Sequence, residues 1–121
     1  MKKLIGLLLG MTSSMACAQS TDQVDPQHFK LVFENECVRV VHAKFGAGER
    51  VAAPYQTRGS AVVALTDIKG ERTTEDGQKR ILNRKAGEAW WGPPDKVNSL
   101  VIDQPAEWIT VVPKGKAGCE K

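Results

Sequence analysis

Few side chains in this 121-residue chain are equipped for chemistry, and their spacing narrows what that chemistry could be. There are two histidines, His28 and His42, and one tyrosine, Tyr55. A transition-metal site needs three or four converging nitrogen, carboxylate or thiolate donors. Two histidines alone cannot make a His-rich one. Cys37 and His42 do not pair as nucleophile and base, because an odd offset puts them on opposite faces of a regular strand. His42 shares its face with Val38 and Val40, which suits a hydrogen-bonded core or rim histidine. General acid–base work would fall to Tyr55, with His42 as the second candidate. Residues 46–66 read GAGERVAAPYQTRGSAVVALT, a Gly-rich turn leading through an irregular stretch into a β-branched run. Hairpins framed in this way often carry metal ligands, yet the middle offers Pro54, Tyr55, Gln56 and Thr57, with no histidine or carboxylate. Arg58 and Lys96 are placed either to hold an anion at a cavity mouth or to sit as solvated rim charge. Trp90 and Trp91 are adjacent and face opposite ways on a regular strand. One is core; the other is a pocket wall, an interface anchor or a half-exposed bystander.

The elements that position these residues begin after a targeting segment. Lys2-Lys3, the apolar run Leu4–Met11 and the small residues Ala16-Cys17-Ala18 make a secretory signal peptide with an A-x-A cleavage site. The apolar run falls short of the ~20 residues that span a bilayer. Ser14-Met15-Ala16-Cys17 also resembles a lipoprotein box with Cys17 lipidated, although Ser14 stands where Leu is usual. Cleavage after Ala18 removes 18 of 121 residues and leaves 103, one small domain with no transmembrane segment. Losing Lys2 and Lys3 takes 17 basic residues to 15 against 14 acids, so the mature chain is nearly neutral. No basic block interleaved with aromatics survives, and nucleic acid is not an expected partner. Three cysteines become two, Cys37 and Cys119, which in an oxidising compartment predicts one disulfide, two free thiols being the alternative.

Along the mature chain the hydrophobic period is two rather than 3.6. Phe29, Leu31 and Phe33 alternate with polar or smaller neighbours; Val38, Val40 and His42 alternate with Arg39, Val41 and Ala43. Further strands are predicted over residues 60–66, 71–75, 79–84, 88–91, 98–102 and 107–112. Asp76-Gly77 is a hairpin signal, and Gly92-Pro93-Pro94 ends a strand rather than forming a phosphate loop. Residues 21–28 lack a strand pattern and read as a mobile leader. About eight short strands with turn chemistry between them predict an all-β sandwich or small barrel. The domain plan is residues 1–18 signal peptide, 19–27 leader, 28–113 barrel and 114–121 tail.

Asp25-Pro26-Gln27-His28-Phe29-Lys30, Phe33-Glu34-Asn35-Glu36, Val38-Arg39-Val40 and Gly46-Ala47-Gly48-Glu49 resemble the opening of a group of small exported single-domain cupins. Ala86-Gly87-Glu88-Ala89-Trp90-Trp91-Gly92-Pro93 resembles the second cupin motif. The resemblance covers roughly residues 25–113 and implies a jelly-roll β-barrel, the double-stranded β-helix. It also implies where metal ligands would sit. The first motif's His-x-His pair falls on Tyr55 and Thr57 in one register and on Pro54 and Gln56 in the other. The following Glu falls near Ala61 and Val62, and the second motif's His falls on Val97, beside Lys96. None of these can replace the missing ligands, so no metal and no cofactor are expected. The candidate cavity is built from Tyr55, Thr57, Arg58, Trp91 and Val97. It is expected to be apolar with a few hydroxyls, suited to a small neutral or weakly acidic organic ligand rather than an ion. Two functions stay open: a non-catalytic exported module that binds a small molecule or a protein, and a metal-independent cupin enzyme of the isomerase kind, working by acid–base chemistry. A homodimer is a further expected partner state.

Overall fold

The structure, a computed structural model, describes residues 20–51 and 53–119. The signal-peptide reading, with Ala16 and Ala18 at the cleavage site and Cys17 as lipidation candidate, lies outside the described residues.

The described elements are α1 (Thr21–Val24), β1 (Phe29–Glu34), β2 (Val38–Phe45), β3 (Tyr55–Thr57), β4 (Ser60–Ala64), β5 (Ile68–Thr74), β6 (Lys79–Arg84), β7 (Ala89–Gly92), β8 (Asp95–Ile102) and β9 (Ala106–Pro113). They form two antiparallel sheets, one in the order β1-β2-β9-β4-β7 and the other in the order β3-β8-β5-β6. The strand pattern in the sequence predicts all of these except β3. That strand has three residues, Tyr-Gln-Thr, just after Pro54, too few for a period to register. It is held by pairing with β8, where Tyr55 faces Val97 and Thr57 faces Asp95.

Alternation decides which side chains go inside. On β2 the inner set is Arg39, Val41, Ala43 and Phe45, while Val38, Val40 and His42 face out. On β9 it is Ala106, Trp108 and Thr110. At one end of the barrel Phe45 stacks on Trp108 with ring centroids 5.4 Å apart. Phe29 meets both rings edge-on, at 5.5 and 6.3 Å. Such edge-on and offset contacts add to the burial of large apolar surface. Gly70 lets β5 and β8 approach here, since a Cβ on it would lie 2.3 Å from the Val101 carbonyl oxygen.

β1 departs from its expected alternation. A bulge between Leu31 and Phe33 inserts Val32 against β2. Only Phe29 reaches the core; Leu31, Val32 and Phe33 are 42, 55 and 53% exposed. A bulge of this kind twists an edge strand and discourages further pairing at that edge.

Where the sequence predicts a mobile leader, the chain forms α1 and packs. α1 touches β1 and β3, the edge strands of the two sheets, and so covers the gap between them. The opposite gap lies between edge strands β6 and β7, and the Arg84 guanidinium crosses it to lie 4.2 Å from the Trp90 ring centroid. α1 is tied down through Asp22, whose carboxylate accepts from Arg39 Nη2 at 2.6 Å and from the Ser20 hydroxyl at 2.7 Å. Burial opposes ionisation of Asp22, but these bonds and the Arg39 charge outweigh it and hold the carboxyl below its ordinary value. A carboxyl depressed in the folded state stabilises it fully above its unfolded value, near pH 4, and loses that contribution as pH falls through the folded one. Asp22→Asn is therefore expected to lower the thermal midpoint at pH 7 and to have little effect at pH 2.5. Calorimetric scans of both proteins at the two pH values check this; an equal shift at both would mean that the charge of Asp22 is irrelevant.

Candidate functional site

Between the two sheets lies a cavity of about 490 Å³, within the range of sites for small organic molecules. Phe29, Val41, Val62, Leu82, Trp90 and Trp108 supply much of its apolar wall. Set into that wall are the cations Arg39, Arg58, Arg72, Arg84, Lys114 and Lys116. No aspartate, glutamate or histidine is among the described residues that line it. Beside the expected hydroxyls, here Ser20, Thr21, Tyr55, Thr57, Ser60 and Thr110, the lining thus carries six cations, of which only Arg58 was expected there.

Two of these cations are committed to the frame. Arg39 bridges Asp22 and Glu34, the latter through Nη1 at 3.2 Å, and Lys114 Nζ lies 2.7 Å from the other Glu34 oxygen. The Lys114 hydrogen bond, then the Arg39 charge, hold the Glu34 carboxyl below its usual value. Arg72 is less well matched. Its Nη2 is 3.7 Å from Asp95 Oδ2, beyond hydrogen-bond length, and its Nε is buried without an acceptor. Arg58, Arg84 and Lys116 form no ion pair among the described residues.

Tyr55 is buried beside Phe29, and its hydroxyl makes no hydrogen bond among the described residues. Burial pushes its pKa well above the ordinary phenol value; the Arg72 charge opposes the rise and Asp95 adds to it. At physiological pH Tyr55 is a neutral hydrogen-bond donor and not a base. Thr57 also faces the cavity, but its hydroxyl clasps the Asp95 main chain, accepting the N–H at 2.9 Å and donating to the carbonyl at 3.3 Å.

One titratable cluster lies outside the cavity. His28 Nδ1 is 2.8 Å from the buried Asp25 and Nε2 is 3.0 Å from Glu49, and the ring stacks on Phe45 at 4.2 Å. None of the three lines the cavity. Glu49 also accepts the Gly46 N–H at 2.7 Å, so the cluster clips the 46–49 turn to the segment before β1. His42 points outward to Glu107 Oε1 at 2.9 Å, in keeping with a rim histidine.

No family model matches the chain, and no curated protein sequence matches it. Solved structures do. A cupin domain from Bordetella pertussis superposes with a TM-score of 0.60 at 17% identity, covering 72% of this chain and 92% of that one. A protein with a double-stranded β-helix domain from Klebsiella pneumoniae gives 0.54 at 20% identity, covering 86% and 95%. The polyketide cyclase RemF from Streptomyces resistomycificus gives 0.57 at 11% identity, covering 87% and 80%. The fold is the cupin jelly roll. At these identities the likeness establishes the architecture of the cupin barrel and nothing about its chemistry.

In β3 Tyr55 is buried, Gln56 is exposed and Thr57 is half-buried, and all three line the cavity. Val97 lies opposite Tyr55 in the ladder but belongs to the packed core, 1% exposed, and does not line the cavity. Among the described residues, no three His, Cys, Asp or Glu side chains converge to hold a metal ion. Arg58 does reach the cavity, at an exposed position. Lys96 does not, and lies 3.8 Å from Glu75 on the surface.

Trp91 is the clearest correction. It is 57% exposed, faces away from the cavity and leans over Gly59, whereas Trp90 is the cavity wall. The ladder gives the reason: Trp90 pairs with the inward Val62, and Trp91 pairs with the outward Ala61. Sequence reasoning also missed Arg39, Arg72 and Arg84. Arg39 was within reach, since it shares a face with Val41 and Ala43. Arg72 was not, because its strand begins at Ile68, three residues before the predicted start, and its partner Leu100 lies on another strand.

Proposed function

We propose that this protein is an exported, non-catalytic module that binds a small organic ligand inside a cupin barrel working without a metal. The observation that carries this reading is a cavity of about 490 Å³ with apolar walls and no histidine or carboxylate among its described lining residues. Tyr55, Thr57 and Val97 are a poor donor set for a transition metal: a neutral phenol, a hydroxyl already engaged by Asp95, and a hydrocarbon. The Cys37–Cys119 disulfide supports export, since such bonds persist in oxidising compartments. The enzyme reading draws on the fold shared with RemF, a polyketide cyclase. It has less support here, because Tyr55, held neutral by burial, can offer a hydrogen bond but is a poor acid and no base at neutral pH, and His42 faces away.

Native mass spectrometry of protein purified without chelator from the periplasmic fraction tests the reading. The expected species begins at Gln19, keeps one internal disulfide, carries no stoichiometric Zn, Fe, Mn, Ni or Cu, and releases a small organic molecule on activation. One tightly bound equivalent of metal would sink the metal-free half, and an N-terminal diacylglyceryl Cys17 would replace soluble export with membrane anchoring. Tyr55→Phe is expected to change folding stability by less than about 1 kcal/mol, because its hydroxyl has no protein partner to lose. Urea titration checks it; a loss of several kcal/mol would make that hydroxyl structural.

A further inference from the structure

One buried donor in the cavity wall, Arg72 Nε, has no acceptor among the described residues. Arginine and lysine side chains donate and never accept, and six of them line a space that no described carboxylate enters. Glu34 and Asp22 answer Arg39 and Lys114 from the rim. Nothing answers Arg72 in full. Its Nε is buried with no acceptor, its Nη2 is 3.7 Å from the nearest carboxylate, and the unpartnered Tyr55 hydroxyl lies close enough to feel its charge. A buried donor without an acceptor is costly, and a charged one more so. Native interiors seldom leave such groups unmatched unless water, an ion or a ligand completes them.

The rest of the wall limits what can complete them. On its own sheet Arg72 pairs with Leu100 of β8 and with the exposed Arg80 of β6, Leu82 lying further along β6 opposite Gly70, and Val62, Trp90 and Trp108 line the cavity from the other sheet. A bare inorganic anion would leave this surface wetted and unfilled. A molecule with an acidic head and an apolar body satisfies both parts.

Resting on the reading of the cavity as a ligand site, we propose that its ligand is an organic carboxylate whose head is held by Arg72, with Tyr55 as second donor, and whose apolar body lies against Trp90 and Leu82. Arg84 stays stacked on Trp90 and closes that side of the barrel. The competing account makes Arg72 only half of a structural ion pair with Asp95. Under that account, removing its charge would affect folding and would not select among ligands.

The experiment uses the neutral apolar dye N-phenyl-1-naphthylamine as reporter on the mature, disulfide-bonded protein. Decanoate and 1-naphthoate are each compared with the matching neutral amide as competitors. At least one carboxylate is expected to displace the dye at a tenfold or lower concentration than its amide. Arg72→Gln is expected to abolish that preference while dye binding persists, which shows that the barrel is intact. Raised salt should shrink the preference in the wild type by screening the ion contact. If both amides compete as well as their acids, or if the preference survives Arg72→Gln, the carboxylate assignment is overturned and the cavity reading stands. If the dye does not bind the wild type at all, the cavity reading itself fails and takes the inference with it.

Discussion

Cys119→Ser is expected to lower the unfolding free energy by about 4 kcal/mol, taking the chain-entropy estimate for a closed loop of this size. Cys37, just before β2, and Cys119, in the tail after β9, are 82 residues apart in sequence with Cα atoms 5.4 Å apart. The bond therefore closes most of the folded chain into one loop, and losing it frees the denatured ensemble far more than it disturbs native contacts. For a domain of about 100 residues, such a loss corresponds to a midpoint roughly 20 °C lower. Urea denaturation of wild type and variant, with and without reductant, measures it. Reductant should bring the wild type down to the variant and leave the variant unchanged. A difference below 1 kcal/mol would mean that the tail is held by other contacts, such as the Lys114 N–H donating to the Cys37 carbonyl at 2.8 Å. The tail carries Lys114 and Lys116 to the cavity, so the same bond bears on the shape of the mouth.

Val97→Asp is expected to cost about 4 kcal/mol or more at pH 7. Val97 is 1% exposed and is held between Tyr55 of β3 and Thr74 of β5. Substitution removes roughly 1.5–3 kcal/mol of apolar burial and adds the larger penalty of an unpaired buried carboxylate. The new carboxyl would have a raised folded-state pKa. Its charge penalty is therefore absent below the unfolded value near pH 4 and grows as pH rises through that value. Denaturation midpoints at pH 3.5 and pH 7 read both effects. A variant as stable as wild type at pH 7 would show that the position reaches water, contrary to its place in the core.

Much of this molecule is written in short-range pattern. Alternation in the first two strands, and short runs bounded by turn residues in the rest, predict eight of the nine described strands. Asp76-Gly77 marks its hairpin because the turn needs a left-handed residue, and Gly77 has φ +87°. Pairing of Cys37 with Cys119, expected from the cysteine count, is present as a disulfide. The cupin resemblance left Tyr55/Thr57 and Pro54/Gln56 as two open registers; the buried Tyr55 and half-buried Thr57 are a fact of the folded barrel.

What the sequence could not decide depends on which strands become neighbours. The β1 bulge shifts Phe33 from the face of Phe29 and Leu31 to that of the outward Val40, since a bulge is set by the pairing partner and not by the strand alone. β3 exists only through β8, 38 residues further along at the Thr57–Asp95 pair. The choice of Trp90 over Trp91 was fixed by pairing with Val62 of β4. The cavity arginines Arg39, Arg72 and Arg84 come from three strands in two sheets, and in the sequence only Arg39, on the face of Val41 and Ala43, reads as other than ordinary surface charge. Composition determined that the chain is small and only weakly basic, and alternation determined that it is β. Only closure of the two sheets over one another turned scattered arginines into the lining of a cavity, because burial belongs to the assembled barrel and not to any strand within it.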